Sequence, residues 1–370
     1  MNAESKTVLI TGGDGYLGSS LAASYLESTD ASLILWLRAG GAEEFENKKS
    51  ALQRRFAGHA SRLSYAAGDL LDDEPFRALD PRGIGGIIHA AAVTRFNVDE
   101  TTARAVNLEG ACKLFRFATG CPSLEAFGLL STVYASGLAP GAIAEAPLDD
   151  GHGFSNFYEW SKWASEAALL KHFGDLPWRI FRVATIIADD ERGTVRQQNA
   201  FHNTLKLLYY GLLSVMPGLP ETPLYLLSGE FVSRAIFALM RRPSNRVIYH
   251  VCHKREEALP LRDLVDIAFE VFSQSEDFRL RRILKPLYAD LGSFELLADG
   301  VEKFSGAVVS QAVASVAPFA RQLFIDKDLK NTNLTAALGR YPDPELRRLA
   351  AETCRRLVES RWKPHGHDAR

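Results

Sequence analysis

The sequence predicts an α/β protein built on a doubly wound parallel sheet, with a smaller, mostly helical C-terminal part. Three observations lead there. Short β-branched or leucine-rich runs alternate with longer helical patterns through the first half of the 370 residues, the rhythm of strand–helix–strand units. Several of those runs are almost continuously apolar, as strands are when helices cover both faces of a sheet. After about residue 190 the rhythm breaks, and the chain reads as helices with few strands.

In order, the strand candidates are TVLIT (7–11), LILWL (33–37), RLSYAA (62–67), GGIIHAA (85–91), AFGLLS (126–131) and WRIFRVA (178–184). Helical stretches lie between them near 16–28, 43–57, 100–119 and 157–173. Beyond the polar loop DDERGTVRQQ come helical stretches at 199–213 and 229–240, then a late strand, RVIYHVC, at 246–252. Further helical pattern runs over 260–273, 293–318 and 343–361. The expected layout is a nucleotide-binding core over 1–190, to which the late strand returns, and a substrate-binding or lid region over 191–370.

Composition narrows the function. The chain is 46% hydrophobic and 24% charged, with a net charge of −2, an ordinary globular balance. It carries no global basic field, so nucleic acid is not an expected partner. The four cysteines are far apart and lack CxxC spacing, which points to reduced thiols rather than disulfides or zinc. No metal site is expected. The N-terminus enters a strand without a signal-peptide pattern, and the apolar run Leu205–Met216 is too short to span a bilayer. These features predict a cytoplasmic protein.

The first strand runs into TGGDGYLG, where Gly12, Gly15 and Gly18 form G-x-x-G-x-x-G. A tight strand-to-helix turn needs residues without Cβ, and a pyrophosphate must reach the backbone N–H groups at the helix start. Placed after a strand and before an amphipathic helix, the motif predicts a Rossmann-type dinucleotide site, with Tyr16 and Leu17 in the same turn. Arg38 follows the second strand, where an acidic residue would bind a ribose 2′-hydroxyl and an arginine accommodates a 2′-phosphate. NADP(H) is therefore the expected cofactor; a solvated surface arginine is the competing reading. Asp69 and Leu70, in AGDL, are placed near the adenine. Ala90, Ala91 and Ala92 are small enough to admit the cofactor, and His89 reads as a core histidine.

Two further segments, STVYASG and NFYEWSK, converge beyond the carboxyl ends of strands, where parallel sheets bind ligands. Tyr158 and Lys162 are four apart and share a helix face. With TGGDGYLG, GDL, HAAA and Asn107 in AVNLEGA, they resemble the extended short-chain dehydrogenase/reductase superfamily over about residues 7–240. HAAAVTRFN, LLSTVYASG, YEWSKWASE and FRVATIIADDERG resemble its fatty acyl-CoA reductase (male-sterility-type) and thioester-reductase branch. Val183 stands where that branch usually has proline, and Glu230 where the superfamily often has aspartate.

The resemblance implies that Tyr158 exchanges a proton with the substrate oxygen, that Lys162 favours its phenolate and reaches the ribose, and that Thr132 hydrogen-bonds the reacting carbonyl. Ser131 is the alternative for that last role. Ser131 and Val183 are also placed at the cofactor. Asn107 is expected to hold backbone geometry or an ordered water, and Trp160 and Trp163 to pack or to wall the substrate entrance; the resemblance also suggests a monomer or homodimer. The leading reading is NADPH-dependent reduction of an acyl thioester, on CoA or on a carrier protein acting in trans, to an aldehyde or alcohol. A ketone or aldehyde reductase, a nucleotide-sugar epimerase or dehydratase, and a non-catalytic dinucleotide sensor are the alternatives.

Overall fold

The computed structural model describes residues 6–243, 245–304, 317–339 and 345–363. The first half forms β1 (Thr7–Thr11), α1 (Tyr16–Ser28), β2 (Ser32–Leu37), α2 (Ala42–Arg55), β3 (Leu63–Ala67) and β4 (Ile84–His89). Then come α3 (Gly110–Thr119), β5 (Ala126–Thr132), α4 (Phe157–His172) and β6 (Trp178–Val183). A π-helical segment, Ala103–Glu109, leads into α3. The late strand β7 (Val247–Val251) pairs with β6, with Ile248 opposite Ile180.

Seven strands make one sheet in the order β7-β6-β5-β4-β1-β2-β3, and every neighbouring pair is parallel. The apolar runs explain the buried sheet. Leu9, Ile10, Leu33, Leu35, Ile87 and Ile88 are fully enclosed, each contributing about 1.5–3 kcal/mol of transfer free energy. The strand order reverses between β1 and β4. Chain leaving β1 turns one way and chain leaving β4 the other, so a crevice opens at their carboxyl ends.

The later elements are α5 (Ala200–Tyr210), α6 (Gly229–Met240), α7 (Leu261–Phe272), α8 (Leu291–Phe304) and α9 (Leu346–Glu359). Of these, α6 joins the first core through Phe231, Val232, Ala235 and Ile236. A second core gathers Leu205 and Leu208 of α5, Leu264 and Phe272 of α7, and Leu349 and Leu357 of α9. Tyr209, Phe272, Phe278 and Trp362 pack ring against ring within it.

The expected helix over 293–318 is present as Leu291–Phe304, and 305–316 lie outside the described residues. That over 343–361 is Leu346–Glu359. The sequence did not signal four short strand pairs: Thr185–Ala188 with Leu226–Ser228, Val215–Pro217 with Leu287–Ala289, Pro223–Leu224 with Leu259–Pro260, and Gly141–Ile143 with Lys327–Leu329. Strands of two to four residues are too short to show an alternation. Among the described residues no helix is long and apolar enough to cross a membrane.

Candidate active site

The glycine turn between β1 and α1 is closed so tightly that side chains are excluded. A Cβ on Gly18 would lie 2.1 Å from the Gly12 carbonyl oxygen. Gly12 has φ +66°, and a Cβ there would meet Ala91 Cα at 3.0 Å. Gly15 is the N-cap of α1 and offers no side-chain cap, so the first amides of the helix remain available to an anion. Gly15, Tyr16 and Leu17 line the cavity at the sheet's carboxyl edge, with Ala90 and Ala92 across from them. Such a cradle fits a dinucleotide pyrophosphate.

The remaining expected cofactor residues fall into two groups. Arg38 Nε donates to Asp69 Oδ2 at 2.9 Å, while the arginine side chain stays 69% exposed. Beside it Lys48 Nζ donates to the Arg38 carbonyl and reaches Asp14 at 3.1 Å. Leu70, by contrast, is buried with Trp36 and Phe76, and its carbonyl accepts from Lys113 Nζ at 3.0 Å. Ala91 packs on that same core and donates its N–H to Thr11 Oγ1 at 3.3 Å. His89 is the core histidine anticipated: buried, 2.8 Å from Thr11 Oγ1, and pushed down to about 3 by burial and the nearby Lys162 charge.

The reacting end is built by β5 and α4. Asn156 caps α4 by accepting the Glu159 N–H at 3.0 Å, which aims the first turn, with Tyr158, at the cavity. One turn on, Lys162 Nζ donates to the Leu130 carbonyl of β5 at 2.7 Å. Ser131 and Thr132 alternate across the strand. Ser131 gives its hydroxyl proton to Glu166, leaving Thr132 as the hydroxyl beside the Tyr158 phenol. Thr132, Ser131, Tyr158, Lys162 and Val183 all border the one cavity.

Removal from water pushes the Tyr158 phenol up to about 12, with the Thr132 hydrogen bond pulling down and the Glu159 charge pushing further up. Lys162 is itself pushed down to about 8 by burial, partly offset by Glu166. Within the protein itself, burial, rather than the charge of Lys162, sets the Tyr158 phenol. A phenol above 10 stays protonated at neutral pH, the form that donates.

Asn107 does hold backbone geometry. Its Oδ1 accepts the Val93 N–H at 2.8 Å, and its Nδ2 donates to the Val93 carbonyl and Ser161 Oγ, each at 2.9 Å. Trp160 lies under Arg104, and Trp163 Nε1 bonds the Leu148 carbonyl. Both are packing residues. Behind the site, Glu166 and Arg182 form a fully buried ion pair at 2.7 Å. The described cysteines are free thiols, and no described cluster of three or more His, Cys, Asp or Glu could hold a metal.

Several neighbours of the site were not foreseen. Phe96 packs edge-on to Tyr158 at 5.6 Å, and Phe319 packs on Phe96 and Tyr134, both at 5.2 Å. Phe96 and Tyr134 stood within quoted motifs, but nothing local marks Phe319 as their partner. The cavity, about 410 Å³, continues past this wall into an apolar arm between α5 and α7. Leu205, Leu208, Met216, Leu261, Leu264 and Val265 line it.

A doubly wound sheet, a glycine turn against bare helix amides, and a Thr–Tyr–Lys set facing that turn define an NAD(P)-dependent oxidoreductase of the extended short-chain dehydrogenase/reductase class. The male sterility protein family of NAD-binding domains matches residues 10–236, and this chain belongs to it. A carboxylic acid reductase of Mycobacterium tuberculosis is 28% identical over 313 residues, covering 72% of this chain and 26% of that protein. An isonitrile lipopeptide synthase of Streptomyces coeruleorubidus is 30% identical over 213 residues, covering 54% of this chain and 14% of its own length. The chain thus spans about a quarter or less of these relatives. Among solved structures, the terminal R domain of the myxalamid PKS-NRPS pathway superposes with TM-score 0.73 at 20% identity, covering 99% of this chain and 94% of that one. An archaeal thiolation-reductase di-domain gives TM-score 0.73 at 19% identity, covering 97% and 76%.

Proposed function

We propose that this protein reduces acyl thioesters with NADPH, releasing an aldehyde and a free thiol. The observation that carries the reading is the continuity of one cavity from the glycine turn, past Thr132 and Tyr158, into an apolar arm. Several polar side chains bordering the cavity are already satisfied. His202 is bonded to the Asn199 N–H and the Ile187 carbonyl, Thr204 to the Ala200 carbonyl, and Thr185 to Tyr134. An arm walled chiefly by leucine, valine and methionine side chains favours an apolar acyl chain over a sugar.

In this reading Gly12, Gly15 and Gly18 with the α1 amides hold the pyrophosphate, and Arg38 meets the 2′-phosphate. The reduced nicotinamide supplies the hydride. Thr132 donates to the carbonyl oxygen as charge grows on it. Tyr158 gives its proton to that oxygen, and Lys162 holds the phenol and ribose in place. Collapse of the resulting thiohemiacetal re-forms C=O as the C–S bond breaks; its hydroxyl proton passes to the departing sulfur, which leaves as the thiol, and Tyr158 regains its proton from solvent. Residues 1–190 with β7 serve the cofactor, and 191–370 mainly the acyl group. A carrier-bound thioester fits the likeness to the thiolation-reductase di-domain.

NADPH consumption across acyl-CoAs of increasing chain length tests the reading. Turnover should be stoichiometric with thiol release and favour long chains. Product without net NADPH loss would instead select an epimerase or dehydratase, and turnover confined to simple aldehydes or ketones a carbonyl reductase.

A further inference from the structure

The segment from Pro318 to Leu329 straps the far side of the reacting space. The Pro318 carbonyl accepts from Ser155 Oγ at 2.7 Å and Asn156 Nδ2 at 3.1 Å, at the very start of α4. Thr222 Oγ1 bonds the Leu323 carbonyl at 2.6 Å, and the Tyr225 hydroxyl bonds the Lys327 carbonyl at 2.8 Å. The strap then adds Lys327–Leu329 as a strand beside Gly141–Ile143. These anchors fix Phe319 against Phe96 and Tyr134.

The strap also carries a buried cation toward a buried anion. Glu159, next to Tyr158 in sequence, is fully enclosed; Gln322 and Lys327 are 5% and 6% exposed. Gln322 Nε2 donates to Glu159 Oε2 at 2.9 Å and to the Gly137 carbonyl at 3.1 Å. That same carbonyl accepts from Lys327 Nζ, which also bonds Ser136 Oγ at 3.0 Å. Gly137 presents its carbonyl this way because φ is +56°, and a Cβ there would strike the Gly153 carbonyl oxygen at 2.1 Å. Two enclosed charges thus share one hydrogen-bonded chain, Glu159–Gln322–Gly137–Lys327.

We propose that Lys327 is a positioning residue for the reaction: from the strap, it offsets the enclosed Glu159 carboxylate beside Tyr158 and holds the first turn of α4 and the Phe319 wall in register. The ionisable groups around this chain are Tyr158 and Lys162 on α4, Tyr134 after β5, and Lys327 itself. Glu159 raises the phenols of both Tyr158 and Tyr134. Burial pushes the carboxylate up and the ammonium down, while each is drawn toward its charged form by the other. Without its cation, the ionised Glu159 acts unopposed on the phenol. The inference rests on the reductase reading above for its choice of substrate only.

The test compares Lys327→Met, Glu159→Gln and the double variant with the native protein. One readout follows the carbon-labelled tyrosine NMR signal that Tyr158→Phe removes, with NADP⁺ bound. Glu159 ionisation should appear as an inflection in that signal; Lys327→Met should move the inflection to higher pH by about one unit, because the carboxylate loses its cation, and Glu159→Gln should abolish it. The second readout is kcat at saturating NADPH with an acyl-CoA. Lys327→Met should lose about tenfold or more, NADPH affinity should hold, and the double variant should recover most of kcat. A purely structural role would lower thermal stability yet leave both the titration and the kcat of the folded fraction in place, and that result overturns the proposal. If Lys327→Met does not fold, an inflection that persists in Glu159→Gln overturns it equally. If the native protein turns over no thioester, the reductase reading fails while the titration still decides the role of Lys327.

Discussion

Lys162 Nζ is bound to the carbonyl of Leu130 at 2.7 Å, so the ammonium one helical turn from Tyr158 is tied to the strand that carries Thr132. The strand end and helix start that form the site are cross-linked by the Lys162 side chain. Any shift of α4 along β5 would move Tyr158 and Lys162 together.

Replacing Tyr158 with phenylalanine should cut kcat by about 10²–10⁴-fold, the usual worth of a positioned proton donor. NADPH affinity, measured by fluorescence titration, should stay within a few-fold of native, because the pyrophosphate cradle lies on α1. Wild-type turnover in this variant would remove Tyr158 from the mechanism.

Arg38→Ala should weaken NADPH binding by about 10-fold or more and leave NADH nearly unchanged, since a charge-assisted hydrogen bond contributes roughly 1.5–3 kcal/mol. Asp69, released from its 2.9 Å partner, would then repel a 2′-phosphate. Equal dissociation constants for both cofactors in the native protein would refute the assignment.

Lys162 has a pH signature in stability. Its folded value, about 8, lies below the ordinary lysine value of 10.5. The unfolded chain therefore binds more protons between these values, and stability must rise with pH across that window. The burial penalty is complete below about pH 8. Lys162→Met should accordingly unfold at a higher temperature than native at pH 7, and its advantage should shrink as pH rises from 8 toward 10.5. A pH-independent difference would contradict the assigned shift.

Arg182→Met should destabilise the fold by about 3–5 kcal/mol in urea unfolding, because it strands the enclosed Glu166 carboxylate. The companion change Glu166→Gln, added to it, should restore part of that loss. Additive losses in the double variant would show that the two charges are not coupled.

Much of this arrangement was legible in the sequence because the signals are local. TGGDGYLG sits between a strand and a helix, and Tyr158 and Lys162 lie one turn apart, so pattern alone brings each set together. The seven strands were readable because most are short β-branched, leucine-rich or aromatic runs, even though β3 (LSYAA) buries none of its residues and β6 (WRIFRV) carries two arginines. What stayed hidden depends on long-range packing. Phe319 meets Phe96 and Tyr134 only through the strap, and Lys327 reaches Gly137 across some 190 positions. The raised Tyr158 phenol was also illegible, since the extent of dehydration at a cavity wall is a property of the folded surroundings.

The position of β7 has a consequence for how the chain can be divided. Its hydrogen-bonding partner, Trp178–Val183, is complete long before Val247–Val251 is synthesised. A fragment ending near residue 240 would leave β6 as a naked border, its row of amides and carbonyls open to other chains. Such a fragment should aggregate rather than behave as an autonomous nucleotide-binding unit, so truncation studies need a stop beyond Val251.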